Sequence, residues 1–504
     1  MAELQTKTSL EHIETNISSK SRGDEYIEEA RAMGLPDFHL KDEEWHAEMH
    51  KKLLWKIDTR MLPLLILMYL LNFLDRSNLS QAKLGTYVED LKLKGNDFNT
   101  ITSVLFAGYI LMQLPSNLLL TRVRPSLYIC ACVTLWGVVS TCQAAVHSKG
   151  AAIACRFFLG VVEAPFFPGV MMIMSSWYKR EELGHRYALF YAGSALANMF
   201  GGLIGAGVLN NLNGTHGIAA WRWLFIIEGV ATIGVAIISS LFLPDYPKTT
   251  KWLTQEERDY AQWRLVKDIG KGDEGDSVTI KQAVIMAFKD YRMYLFIVAQ
   301  HCNLLAQSFT YFFPSIVKTL GFGTTETLLL TVPVWFATFL SALIVSYHSS
   351  RTNERCYHIA ISMLVAMIGN IISVSTTKTG PRFFAMFLMP MGALPAFQLI
   401  LTWVANSFPR PLAKRSACIA TVNMLGNIAS IYGSYMYPDS QKPRYEVGGS
   451  ITAAVCLVCA IMAIVIRFVL KHENRKLELH EQEVLEGEDP HGVDEKVWGF
   501  RYIL

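Results

Sequence analysis

Four charged residues in two apolar stretches carry the chemistry this chain has to offer. Asp75 and Arg76 adjoin in Tyr69-Leu-Leu-Asn-Phe-Leu-Asp75-Arg76-Ser-Asn78, the end of an apolar run that begins near Met61. Arg156 and Glu163 lie in Arg156-Phe-Phe-Leu-Gly-Val-Val-Glu163-Ala-Pro165. Their spacing is nearly two helical turns, so both project from one face. Charges at membrane depth are costly and are kept where they face a bundle interior or a water-filled cavity. Arg76 suits an anionic substrate, since guanidinium stays charged when partly dehydrated and its fork matches a carboxylate. The alternative is an ion pair with a nearby acid that fixes helix packing; Asp75 is not that partner, because adjacent helix residues do not face each other. Glu163 suits proton carriage, as a carboxyl with little water around it can load and release a proton near neutral pH. Its alternative is a salt bridge to Arg156 or to another helix. Asp75 reads equally as a second proton site or a helix-end anchor, and Arg156 equally as a substrate contact or a gate or packing residue.

The elements that must hold these groups are membrane spans. Of 504 residues, 51% are hydrophobic and 18% charged, and the mean hydropathy is +0.26, values that suit a membrane protein better than a soluble enzyme. A net charge of +3 gives no argument for nucleic acid as a partner. A span takes about 20 helical residues. Twelve runs are long enough: 61–81, 99–121, 126–147, 151–177, 187–209, 221–243, 292–317, 324–346, 356–375, 382–405, 416–437 and 449–470. The expected class is an all-α membrane protein of twelve transmembrane helices in two six-helix pseudo-symmetric halves. The expected divisions are an amino-terminal tail (1–60), a first half (61–243), a linker (244–291), a second half (292–470) and a carboxy-terminal tail (471–504). Within the linker, 252–265 has the pattern of an amphipathic helix, followed by the loop Gly270–Asp276.

Bases collect on one side: Lys51, Lys52, Lys56 and Arg60, then Arg122 and Arg124, Lys179, Arg180 and Arg186, the linker, Arg351 and Arg355, and Arg410, Lys414 and Arg415. Both termini are therefore expected in the cytoplasm. The polar start offers no cleavable signal peptide. Asn213-Gly-Thr215 then lies outside as a glycan acceptor. Arg156-Phe-Phe recurs as Arg382-Phe-Phe, and Trp177 as Trp403, both at an offset of 226 residues that also relates several span starts. Same-direction repeats joined by a cytoplasmic linker fit a parallel pseudo-two-fold transporter.

Polar stripes support a wet interior: Tyr187, Tyr191, Ser194 and Asn198 in span five; Gln300, Asn303, Gln307 and Tyr311 in span seven; Asn423, Asn427 and Ser430 in span eleven. Interhelical hydrogen bonding is the competing explanation. Span seven is the expected substrate contact, with Gln300, Asn303 and Tyr311 joining Arg76 and Arg156. His301 reads as a packing residue. His46 and His50 share a helical face that is expected to be solvated surface. The nine cysteines fall mostly in apolar runs, and Cys456-x-x-Cys459 lacks the context of a redox motif. No P-loop, nucleophile elbow or H-E-x-x-H pair is present, so no enzyme, metal or cofactor is expected, only protons as the coupling ion.

Further stretches carry a resemblance: Leu74-Asp-Arg-Ser-Asn-Leu79, Leu114-Pro-Ser-Asn-Leu118, Arg156 through Gly169, Trp221-Arg-Trp-Leu-Phe-Ile-Ile-Glu-Gly229, Leu243-Pro-Asp-Tyr-Pro247, Tyr437-Pro438-Asp439 and Phe500-Arg-Tyr-Ile-Leu504. Nearly end to end, the chain resembles the major facilitator superfamily, in particular the fungal allantoate-permease-like branch of its anion:cation symporters. The resemblance implies a monomer in the plasma membrane, more than the vacuolar one, that takes up small organic anions (ureides, vitamins or carboxylic acids) with protons. It also implies that Asp75, Arg76, Arg156 and Glu163 handle protons and anion. Gln113 and Ser349-Ser-Arg depart from acids found in relatives. An exporter of secondary metabolites or drugs is the alternative within transport, and a non-transporting nutrient sensor the alternative outside it.

Overall fold

Each predicted apolar run folds as helix in the computed structural model, which describes residues 27, 30–120, 123–269, 280–408, 412–485 and 501–504. Arg122, Arg410, Phe500 and the loop 270–276 lie outside the described residues. Helix α1 (Glu43–Arg60) precedes the first pass, α2 (Leu62–Ala82). The second to sixth passes are α3 (Asp97–Leu120), α4 (Pro125–Cys142), the pair α5 (Lys149–Glu163) and α6 (Phe166–Ser175), α7 (Arg180–Asn211) and α8 (Ala220–Phe242). Linker helices α9 (Gln255–Ile269) and α10 (Ile280–Lys289) lead to the seventh, α11 (Tyr291–Ala306) continued by α12 (Phe313–Lys318). Then come α13 (Thr324–Thr352), α14 (Cys356–Ser375), α15 (Thr379–Ser407), α16 (Leu412–Gly433) and α17 (Glu446–Leu485). Nine segments among the described residues have the length and hydropathy to cross a membrane; the predicted second, seventh and eleventh spans are the helical passes beyond those nine.

Two passes are broken, and both breaks have a proline cause. Pro165 and Pro168 have no N–H to give to the carbonyls of Val161 and Ala164, and α5 stops at Glu163 before α6 resumes. In the seventh pass, Pro314 stands at the start of α12, and Gln307–Phe312 winds as a tighter 3-10 turn. Irregular backbone at membrane depth is tolerated where it lines a cavity or is buried in protein. Both breaks do line one, as described below.

Close crossings hold the helices in register. At Gly160 an added Cβ would lie 2.0 Å from the Leu105 carbonyl oxygen, so α3 and α5 touch backbone to backbone beside Glu163. The halves meet where α7 packs on α13 and α3 on α16. At Gly202 of α7 a Cβ would come within 3.0 Å of the Leu328 carbonyl of α13, which is why span five carries glycine there.

On the side of the termini, the segment after the last pass of each half folds back onto that half. Helix α9 and the turn before it cover Trp177: Trp252 of that turn stacks on it at 5.8 Å, and Arg264 of α9 donates to its carbonyl. In the second half, the repeat-related Trp403 donates from Nε1 to Ile503 O at 2.8 Å, and Arg355 N donates to Leu504 O at 2.7 Å. An acid–base tie recurs as well, with Asp58 to Arg186 at 2.6 Å and Asp290 to Lys414 at 2.8 Å. Burial opposes ionisation of Asp290, yet its bonds to Arg292 and Lys414 hold it at about 2.

His46 and His50 depart from the expected solvated face. His46 stacks on Trp263 at 5.0 Å within a cluster containing Phe38, Trp45 and Tyr260, and His50 lies 3.4 Å from Glu182, because α1 is clamped against α9. Glu257 joins the two helices, receiving Lys56 Nζ at 2.6 Å and the Thr254 amide at 3.0 Å. Burial works against the charge, but these donors outweigh it and hold the Glu257 carboxyl below its usual range. Its contribution is thus present above the unfolded carboxyl value of about 4.3 and is lost as pH falls through the lower folded value. Glu257→Gln should cost about 1–3 kcal/mol at pH 7. In thermal melts the gap between wild type and variant should close as the pH is taken toward 4 and below.

Candidate functional site

A cavity between the halves collects the groups with chemistry to offer. Arg76 and Asn72 reach it from one face of α2, one helical turn apart, and Glu163 reaches it from the break at the end of α5. Arg76 donates from Nε and Nη2 to Glu163 Oε1, and Asn72 Nδ2 donates to the same oxygen. The Glu163 side chain is 3% exposed and that of Arg76 15%, so the guanidinium keeps a face toward the cavity. It also lies over aromatic rings, 5.3 Å from Phe73 and 5.4 Å from Tyr109, which stabilise a partly dehydrated cation.

The opposite wall comes from the second half. Gln307, Thr310 and Tyr311 of the 3-10 turn face in, with Trp335 of α13, Phe397 and Gln398 of α15, and Asn423 and Asn427 of α16. Tyr191, Ser194 and Asn198 of α7, in the first half, complete the lining. The lining mixes aromatic rings with amides and hydroxyls around the charged pair, the composition of a small-molecule site.

The predicted site residues separate into three groups. Arg76, Glu163 and Tyr311 line the cavity. Arg156 is buried and reaches a smaller recess that shares Arg76 and Tyr311 with it; among the described residues its Nε and Nη2 have no hydrogen-bond partner. It does not pair with Glu163, whose counter-ion is Arg76. Asp75, Gln300 and Asn303 lie off the cavity. Asp75 points to the back of α2, accepting from Trp136 Nε1 and from Ser140 Oγ at 2.6 Å. Gln300 is buried against Gly426, where a Cβ would lie 2.9 Å from its Cγ. Asn303 turns toward α15 to donate to Ala393 O at 3.0 Å, and its Oδ1 accepts from Gln307 at 2.7 Å. Both were expected to touch substrate; in this structure Gln300 packs on α16, and Asn303 bonds Gln307, which does line the cavity. His301 is a packing residue, bonded to Leu425 O at 3.2 Å and to Tyr432. Asn213 is exposed in the loop after α7, its Oδ1 accepting from Ala220 N at 3.2 Å.

Away from the termini the cavity is closed. Lys83 of the first half pairs with Asp439 of the second at 3.1 Å, sitting 4.5 Å over Phe98 and 5.6 Å over Phe312. Thr100 Oγ1 and Tyr435 OH bond across the same seam at 3.0 Å. Toward the termini, Tyr191 and Gln398 are shared with a further recess that reaches Arg355. Lys83→Ala removes the ion pair across the closed end. It should raise labelling of a cysteine introduced at Thr310 by an impermeant thiol reagent several-fold from that side; unchanged labelling would show that the pair does not hold the seam.

The sequence model of the Major Facilitator Superfamily matches residues 65–434, which contain the whole cavity. The chain belongs to the Major Facilitator Superfamily. MFS transporter prlL of Fungal sp. (strain NRRL 50135) is 31% identical over 453 residues, 88% of this chain and 91% of that one. MFS-type transporter cnsO of Penicillium expansum is 33% identical over 441 residues, 84% of each. Major facilitator-type transporter hxnP of Emericella nidulans is 32% identical over 461 residues, 89% and 92%. The fold is also similar to a crystal structure of a bacterial homolog of the human lysosomal transporter Spinster, at a TM-score of 0.58 and 14% identity over 80% of this chain and 94% of that one. As a member of the Major Facilitator Superfamily, the chain is a multi-pass membrane transporter and not an enzyme.

Proposed function

We propose that this transporter is a proton-coupled carrier of small organic anions, of the anion:cation symporter, allantoate-permease-like kind, working by alternating access in the plasma membrane with both termini in the cytoplasm. The observation that supports this most is the Arg76–Glu163 pair facing the cavity. Glu163 occupies the guanidinium fork. A substrate carboxylate entering the cavity competes for that fork. Once displaced, Glu163 is a buried carboxylate without its counter-ion, a state costing several kcal/mol that a proton relieves. Anion binding and proton binding then favour each other, which is what symport requires.

The aromatic lining adds a preference for a carboxylate attached to a ring or another flat apolar group. One proton with one monoanion moves no net charge, whereas two protons would gain about 2.3 kcal/mol per 100 mV of membrane potential. The test is an uptake competition screen with small carboxylates at two external pH values. Acidification should raise uptake of the competing anions. A transporter that takes only cations or neutral compounds, or moves anions without regard to pH, overturns the reading. Inside-out vesicles separate import from the export alternative.

A further inference from the structure

Behind the cavity, the first half buries a second pair of acids whose surroundings differ. Glu228 of α8 is 2% exposed, and among the described residues neither of its carboxyl oxygens has a hydrogen-bond donor in bonding geometry. Its neighbours from α2 are Asp75 and Asn78; the Asn78 amide lies beside it outside bonding geometry, its own oxygen and nitrogen also without partners. Asn78 follows Asp75 by three residues, so both stand on one face of α2. The next residue, Gly229, presses α8 against α4, where a Cβ would lie 2.8 Å from the Gly137 carbonyl oxygen. Among the described residues no basic side chain forms an ion pair with Glu228. Arg156 interacts electrostatically with Asp75.

Asp75 has the opposite environment. The indole N–H of Trp136, the hydroxyl of Ser140 and, at 3.5 Å, the hydroxyl of Thr232 all donate to its two oxygens. A carboxylate surrounded by donors is stabilised as the anion. A carboxylate buried without any donor pays its full desolvation cost, several kcal/mol, which the neutral acid largely avoids. Two nearby acids in environments so unlike each other settle into one charged and one neutral group.

We propose that Glu228 is a proton-holding site: Asp75 and Glu228 together carry one negative charge, with the shared proton on Glu228 in this conformation. Passing it on breaks the Glu228 O–H bond and forms one on Asp75, and the net charge of the pair does not change. That the proton moves during transport rests on the proton-coupled reading; that it resides on Glu228 at rest does not.

The test is infrared absorption of the purified full-length protein at pH 7, in a maltoside detergent that has no carbonyl of its own. Wild type should show the carbonyl-stretch band of a protonated carboxyl. Glu228→Gln should lose that band completely, and Asp75→Asn and Glu163→Gln should keep it. A spectrum in which Glu228→Gln loses no protonated-carboxyl band overturns the proposal. Should that variant fail to fold, Glu228→Asp keeps an acid at the site and should shift the band; an unshifted band is equally contrary. Glu163→Gln removes the residue on which the symport reading depends, so the two ideas fail separately.

Discussion

Glu163→Gln should exchange substrate across the membrane at a rate close to wild type yet fail to accumulate it against a gradient when the outside is acidified. The amide has nearly the shape of the protonated acid, so the loaded site is preserved, but it can neither take up nor release a proton. It also holds Arg76 less firmly, because hydrogen bonds to an ionised acceptor are roughly twice as strong as those to a neutral one. The fork is then freer for an incoming anion. Affinity should rise several-fold, equivalent to about 1 kcal/mol. Loss of accumulation together with tighter binding is the signature of competition. A purely structural ion pair would give weaker binding and slower exchange instead. Efflux, counterflow and equilibrium binding on the same preparation check all three quantities.

Arg76→Ala carries the second large effect. Charge-assisted hydrogen bonds contribute about 1.5–3 kcal/mol, so anion affinity should fall roughly 10- to 150-fold. Removing the base also leaves Glu163 buried beside Asn72 without a cation, and the fold should be stable only with that acid neutral. Arg76→Lys keeps the charge but offers one donor centre in place of a planar fork, and should recover part of the loss. Normal affinity in Arg76→Ala would remove this residue from substrate binding.

How far the sequence could be read depended on whether the helical phase continued. Arg76 and Glu163 were visible because charge inside an apolar run has few structural uses. Asp75 was visible for the same reason, but one residue along a helix turns the side chain by about 100°. It therefore faces Trp136 and Ser140 while its neighbour faces the cavity. The stripe Gln300, Asn303, Gln307 and Tyr311 assumes one uninterrupted helix. Only its last two members reach the cavity, and both stand on the 3-10 turn Gln307–Phe312 rather than on the helix before it. Pro314 was the available signal. Asn72, one turn before Arg76, could have been found from spacing alone. Tyr109 could not, because its place beside Arg76 depends on how α3 crosses α5 at Gly108 and Gly160. Glu228 stood in a motif stretch, and only tertiary packing reveals its unpaired oxygens. The internal repeat was legible in Trp177 and Trp403, but not the segments that cover them.

The most direct measurement is proton uptake on ligand binding. Purified transporter in weakly buffered solution with a pH indicator is mixed with the strongest carboxylate competitor from the uptake screen. Wild type should take up about one proton per anion bound, and Glu163→Gln none, as binding and protonation are linked through the single Arg76 fork. Anion binding without proton uptake in wild type, or uptake that persists undiminished in Glu163→Gln, would contradict the account.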